Sequence, residues 1–234
     1  MKHRSTLVRS VGIGTLVAVG AGVLPAAAPD AGESSERSAF SLGLEGGTTG
    51  FGPVLQYTPS ERFNFALSYG HLDFDADNLR TNRARYDTDL RMANLAATVD
   101  WHPWRNGFHF TCGAVVYDHR LDVTARPRHG KVYEIGKHDY TNTEITSLTG
   151  RVDTGTQVAP YLGIGWTWNF GRSGISLMTN LGVMFTDNYD AHLTATGPLA
   201  SDQTFLEDLR REEKDINDNN ELFPVAKVGF AYRF

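Results

Sequence analysis

From about residue 39 onward the dominant period of the chain is two, large apolar side chains alternating with small or polar ones, and this alternation limits its fold more than any other feature. The stretch "FNFALSYG" puts Phe63, Phe65, Leu67 and Tyr69 on one side, with Asn64, Ala66, Ser68 and Gly70 on the other. "VAPYLGIGWTWNF" sets Val158, Pro160, Leu162, Ile164, Trp166, Trp168 and Phe170 against Ala159, Tyr161, Gly163, Gly165, Thr167 and Asn169. The closing "KVGFAYRF" separates Val228, Phe230, Tyr232 and Phe234 from Lys227, Gly229, Ala231 and Arg233. A period of two is that of a strand whose faces meet different surroundings. The chain is therefore expected to be all-β.

Eight such segments are expected, over 39–46, 51–58, 63–75, 90–101, 108–124, 156–170, 175–195 and 224–234. "TPSER", "HPWRNG" and "GRSG" read as tight turns. Longer connections fall at 76–89, 125–155 and 196–223, with a short "GTTG" between the first two segments. Short turns at one end and long loops at the other suit a closed transmembrane barrel. Within 201–220 the period changes to a helical one: Phe205 and Leu209 lie one turn apart, and Glu207 precedes Arg211 by four. A short helix is expected there, with Ser201 as its N-cap and its charges on a solvated face.

A soluble sandwich and a membrane barrel both accommodate eight antiparallel strands, and they differ in which face looks inward. Aromatic residues gather where strands meet the short turns, at Tyr57, Phe63, Trp101, Trp104, Phe108, Trp168 and Phe170. Amphipathic rings favour a membrane interface. The opposite faces are small or polar, which suits a narrow lumen. The large side chains are therefore expected to face lipid. Lipid cannot hydrogen-bond a sheet edge, so the first and last strands must pair. Lys227 and Arg233 then point inward and need partners. Glu45, on the inner face of the first strand, is expected to contact one of them. Asp100 and His109 complete the expected luminal polar network.

The N-terminus supplies Lys2, Arg4 and Arg9, then an uncharged "VGIGTLVAVGAGVL", then small residues at Ala26 and Ala28. Residues 1–28 read as a cleaved signal peptide, 29–38 as a short linker, and 39–234 as one barrel. The apolar run is too short to span a bilayer as a helix. Removing the leader takes away three bases and no acid, so the formal net charge of -5 falls three units further. That balance argues against nucleic acid as a partner. The single cysteine, Cys112, has no intrachain partner and reads as a small lipid-facing hydrophobe.

The segments "GTTGFGPVLQY", "VDWHPW", "APYLGIGW", "LTATGPLASDQTFLEDLRREE" and the final "FAYRF" resemble those of small proteobacterial outer-membrane β-barrel proteins of the OmpX/OmpW type. The resemblance runs from about Phe40 to Phe234. It implies a bacterial outer-membrane location among lipid and lipopolysaccharide. It also implies that Val228, Phe230, Tyr232 and Phe234 serve as a C-terminal signal for the barrel-assembly machinery. The expected role is structural, or that of a narrow passive channel, in a monomer without cofactor. A second reading gives the loops a binding or adhesive role, with Arg80, Arg83, Arg85, Arg126, Arg128 and Lys131 meeting lipopolysaccharide phosphates. A lipid A-modifying enzyme ranks third, because no serine accompanies His71 and Asp73, or His119 and Asp118, in a recognisable motif. His129, Glu134, His138 and Asp139 fall short of a fixed-spacing metal set, and none is expected.

Overall fold

The computed structural model describes residues 39–80, 84–127, 132–135, 138–186, 190–217 and 222–234. The expected leader and linker lie outside the described residues. Eleven strands are described: β1 (Phe40–Gly47), β2 (Gly50–Ser60), β3 (Phe63–Arg80), β4 (Ala84–Trp101), β5 (Phe108–Pro127), β6 (Val132–Ile135), β7 (His138–Thr141), β8 (Ser147–Asn169), β9 (Ile175–Phe185), β10 (Asp190–Thr196) and β11 (Leu222–Arg233). One α-helix, α1, spans Gln203–Asn217, and a single 3-10 turn covers Gly171–Ser173. Among the described residues no helix is long and apolar enough to cross a membrane.

The strands form a closed, eight-stranded antiparallel barrel. Neighbours pair in the order β10-β8-β5-β4-β3-β2-β1-β11-β9, and β9 returns to β8. The β9 and β10 segments share one barrel position: β9 lies between β8 and β11, while β10 extends beside the upper half of β8. Closure runs from Ser41 opposite Arg233 to Gly47 opposite Lys227. The small β6–β7 hairpin stands apart as a second sheet.

The apolar faces point outward, as the alternation requires. Leu42, Leu55, Leu67, Leu95, Leu162, Leu181 and Phe230 are all exposed, whereas Ser68, Asn94, Thr111 and Ala159 on the alternate face are buried. Near the short turns Tyr57, Phe63, Trp101, Trp104 and Phe170 form an exposed aromatic girdle. Neighbouring rings touch around it, with Phe40 and Tyr57 centroids 4.8 Å apart and Trp104 and Phe108 5.4 Å apart. Cys112 faces outward with its neighbours Phe110 and Ala114.

Three expectations need correction. The connections at 76–89 and 125–155 are largely strand: β3 and β4 continue to Arg80 and from Ala84, and β8 begins at Ser147. The strict period fails there because each extension carries a bulge. Between Ala76 and Leu79, β3 has two residues against one on β4, and Asn78 takes φ 58°. Between Thr156 and Asp153, β8 likewise has two residues against one on β5, and Gly155 takes φ 58°. Each left-handed residue donates its N–H to a carboxylate: Asn78 to Asp87 at 3.0 Å and Gly155 to Asp153 at 2.8 Å. An extra residue exchanges the two faces of all that follows, so sequence alternation alone loses the strand at that point.

The helix corrections are local. Asp202, not Ser201, caps α1, its Oδ1 accepting from the N–H groups of Thr204 at 2.9 Å and Phe205 at 3.2 Å. The face is not wholly solvated either, because Asp208 and Glu212 are buried beside Phe205 and Leu209. Those four residues fall at i, i+3, i+4 and i+7, a single stripe. Phe205 and Leu209 pack with Tyr140 and Ile145 in a small core of their own, flanked by Leu148, Leu193 and Ala195.

Candidate functional site

The lumen is the natural place for a passage, and it is layered. At the short-turn end a polar chain crosses it. Asn64 Nδ2 donates to Asp100 Oδ2 at 2.9 Å and Thr111 Oγ1 to Asp100 Oδ1 at 2.7 Å. Asn180 Nδ2 donates to Thr111 at 2.8 Å, and Tyr161 Oη closes the chain on Asn180 Oδ1. His109 is buried with its Nε2 4.0 Å from Asp100. Close packing here needs glycine: a Cβ at Gly165 would stand 2.3 Å from His109 Nε2, and one at Gly182 would stand 2.6 Å from the Tyr161 hydroxyl. The inward glycines are thus the seats of the luminal rings.

Further along the axis, Lys227 Nζ donates to Glu45 Oε1 at 2.7 Å, with Ser68 Oγ 3.4 Å away. The pair joins the last strand to the first. Of the two expected partners of Glu45, the structure selects Lys227; Arg233 stands at the short-turn end, opposite Ser41. A second polar link runs from His119 Nε2 to Asn94 Oδ1 at 2.9 Å, and from Asn94 Nδ2 to the Thr49 carbonyl at 2.9 Å.

Around this polar layer the interior is not uniformly small and hydrophilic, which corrects the expectation. Met92, Val115, Tyr117, Tyr161, Met184, Phe223 and Val225 form a buried apolar cluster inside the barrel. The cavity bounded by Thr49, Asn94, Tyr161, Met184 and Lys227 measures about 20 Å³. That is room for one water molecule. A narrow barrel filled in this way is a packed core.

The other charged assembly lies outside. Above the apolar belt the outer faces of the extended β3, β4, β5 and β8 carry a collar of ion pairs. Arg91 reaches Asp73 at 3.7 Å and Asp89 at 3.3 Å. Arg120 pairs with Asp153 at 2.7 Å, Arg151 with Asp122 at 2.5 Å, and Arg126 with Asp87. The carboxylates of Asp73, Asp75 and Asp89 converge within 4.8 Å, exposed or half-buried, with Arg91 beside them. They are the described residues best placed to hold a cation, and the arginine offsets their charge.

The expected lipopolysaccharide contacts divide. Arg85 and Arg126 stand on the outer wall, directly opposite one another on β4 and β5. Arg80 ends β3. Arg83, Arg128 and Lys131 lie outside the described residues. Of the suspected metal set, His129 also lies outside them, and His138 is committed elsewhere, with its Nδ1 2.6 Å from Asp208 Oδ2. Tyr140 donates to the same oxygen at 2.9 Å. Burial and that carboxylate push the Tyr140 phenol above its ordinary range. The cluster ties α1 to the β6–β7 hairpin. His71 and Asp73 share the outer wall, both exposed, while His119 faces the lumen and Asp118 the exterior, as their parities required.

No family model matches the chain, and no curated protein matches it. The fold is shared with solved structures, two of them from one organism. CarO2 of Acinetobacter baumannii superposes with a TM-score of 0.73 at 22% identity, over 86% of this chain and 100% of that one. CarO of the same organism gives 0.67, also at 22% identity and with the same coverage.

Proposed function

We propose that the chain is a bacterial outer-membrane barrel of the OmpX/OmpW type whose role in the envelope is structural, with a sealed lumen. An exposed apolar belt around a closed sheet, with an aromatic girdle at one rim, is what hydrocarbon and its interface select. The observation that carries the structural role is the filled interior, in which Met92, Tyr117, Met184, Phe223 and Val225 pack across the barrel beside the Glu45–Lys227 pair. The leader would deliver the chain to the periplasm, and the aromatic final strand would engage the assembly machinery. A barrel that closes on itself leaves the monomer complete.

Single-channel recording in planar bilayers tests this reading. The wild-type protein is expected to give no discrete current steps. The triple variant Tyr117→Ala, Met184→Ala, Phe223→Ala is expected to give small, steady ones. Regular steps from the wild type would replace the structural role with the narrow-channel one.

A further inference from the structure

Above the belt the wall is an open sheet with two edges, and the fold treats them differently. β2 leaves β3 at the Phe51–His71 pair, whereas β3 and β4 stay paired as far as Arg80 and Arg85. From Leu72 upward β3 is therefore an edge strand, and among the described residues no strand pairs with its free side. At the far end of the same wall the edge of β10 is covered, its Ala191 and Leu193 N–H groups donating to Asn217 and Glu213 of α1. Along the β3 edge alternate main-chain N–H and C=O groups stay directed away from β4, a template for a further strand.

The side chains of this edge are sorted by face. Asp73, Asp75 and Asp77 are exposed on the outer one. Each charged rung of the wall ends on β3 in a carboxylate, Asp73 opposite Arg91 and Asp75 opposite Asp89. Arg91 answers Asp73 and Asp89, and among the described residues no cation pairs with Asp75 or Asp77. On the inner face Leu72 packs on the luminal apolar cluster, while Phe74, opposite Leu90, is 52% exposed. A strand laid along the edge would cover that ring, because cross-strand neighbours stand about 5 Å apart. The acidic row bars a second copy of the same edge, since like charges facing one another destabilise a sheet. It does not bar a strand of the opposite sign.

We propose that the β3 edge from Leu72 to Asp77 docks an extended cationic peptide segment as an added strand, its basic residues outward and its apolar ones inward. Main-chain hydrogen bonds hold the segment, and the alternating side chains select it. Asp75 and Asp77 require lysine or arginine on the outer face, and Phe74 requires an apolar neighbour on the inner one. Selection is thus for sign and period together. It does not depend on where the barrel is embedded.

The probe is a short, end-blocked synthetic peptide alternating lysine and valine, added in excess to the refolded, isotopically labelled protein in nonionic micelles. Amide hydrogen exchange along β3 is read by NMR. Without peptide, the amides between Leu72 and Asp77 that face away from β4 should exchange freely. With it they should slow at least tenfold, while those between Phe63 and Ser68 keep their rates. A peptide alternating glutamate and valine should protect nothing. Asp75→Asn with Asp77→Asn should weaken binding of the lysine peptide at least fivefold. N-methylation separates strand pairing from bare charge attraction: methylating one alternate set of peptide amides should abolish protection, and methylating the other should leave it. Equal effects of the two sets overturn the proposal, as do a lysine peptide that protects nothing and a double variant that binds like the wild type. Edge amides already protected without peptide overturn it too, and a dimer in native mass spectrometry would then assign the edge to a second copy. The peptide comparisons use the wild type alone, so they decide the matter even where the double variant misfolds.

Discussion

Glu45 and Lys227 show how much one pair of residues can specify. Each side chain is only 17% exposed, and their contact spans 182 positions of sequence to lock the last strand onto the first. Removing either partner strands a charge in the lumen. Lys227→Met is expected to lower stability by about 3 kcal/mol, the range for breaking a buried pair. Urea unfolding in micelles followed by tryptophan fluorescence measures it. Adding Glu45→Leu should recover most of the loss, because both charges then leave the interior. A double variant no more stable than the single would mean that the pair is incidental to closure. This contact was legible in the sequence because the inward parity of Lys227 and the need to close the barrel left few partners. The apolar interior was not. Met184 and Phe223 sit at inward positions among glycine, asparagine and alanine, and only the folded barrel reveals that such scattered residues meet across a lumen.

At the scale of elements, the two bulges govern what the upper wall presents. Below Gly155 the odd positions of β8 face the lumen, as Ala159 and Tyr161 do; above it the outward set is Arg151 and Asp153. Gly155 has φ 58°, and a Cβ added there would meet nothing within 4 Å, so strain rather than crowding limits substitution. Gly155→Ala is expected to cost about 1 kcal/mol, and Asn78→Gly almost nothing. Chemical unfolding of both variants checks this; equal losses would remove the bulge argument. Helix α1 covers a different weakness. On the edge of β10 away from β8, the Ala191 N–H donates to Asn217 Oδ1 at 2.8 Å and the Leu193 N–H to Glu213 Oε1 at 2.6 Å. The helix thus protects a strand edge that would otherwise invite pairing. Glu213→Ala with Asn217→Ala should accelerate hydrogen exchange at Ala191 and Leu193 at least tenfold, with the belt strands unaffected. Unchanged exchange would deny the helix that role. The helix itself was legible from its spacing. Its buried Asp208 and Glu212 were obscured by a run of charges that resembles any solvated face.

Across the whole molecule, a strand pattern with mean hydropathy of -0.32 builds a surface suited to hydrocarbon, because half of every strand is reserved for an interior that lipid never meets. The barrel is lopsided. The β3–β4–β5–β8 wall continues well beyond the belt, while β1 and β2 turn back near Thr49, whose carbonyl reaches into the lumen. Closure and strand number could be read from the alternation, whereas the height of the wall could not, since its charged rungs resemble loop sequence. The orientation of the apolar half underlies both the sealed lumen and the charged collar. It is tested by nitroxide labels at Leu67 and Leu162 on the belt and at Ser68 and Ala159 in the interior, in a Cys112→Ser background reconstituted in bilayers. The account predicts high collision rates with oxygen dissolved in lipid for Leu67 and Leu162, and low ones for Ser68 and Ala159. The reverse pattern would contradict it.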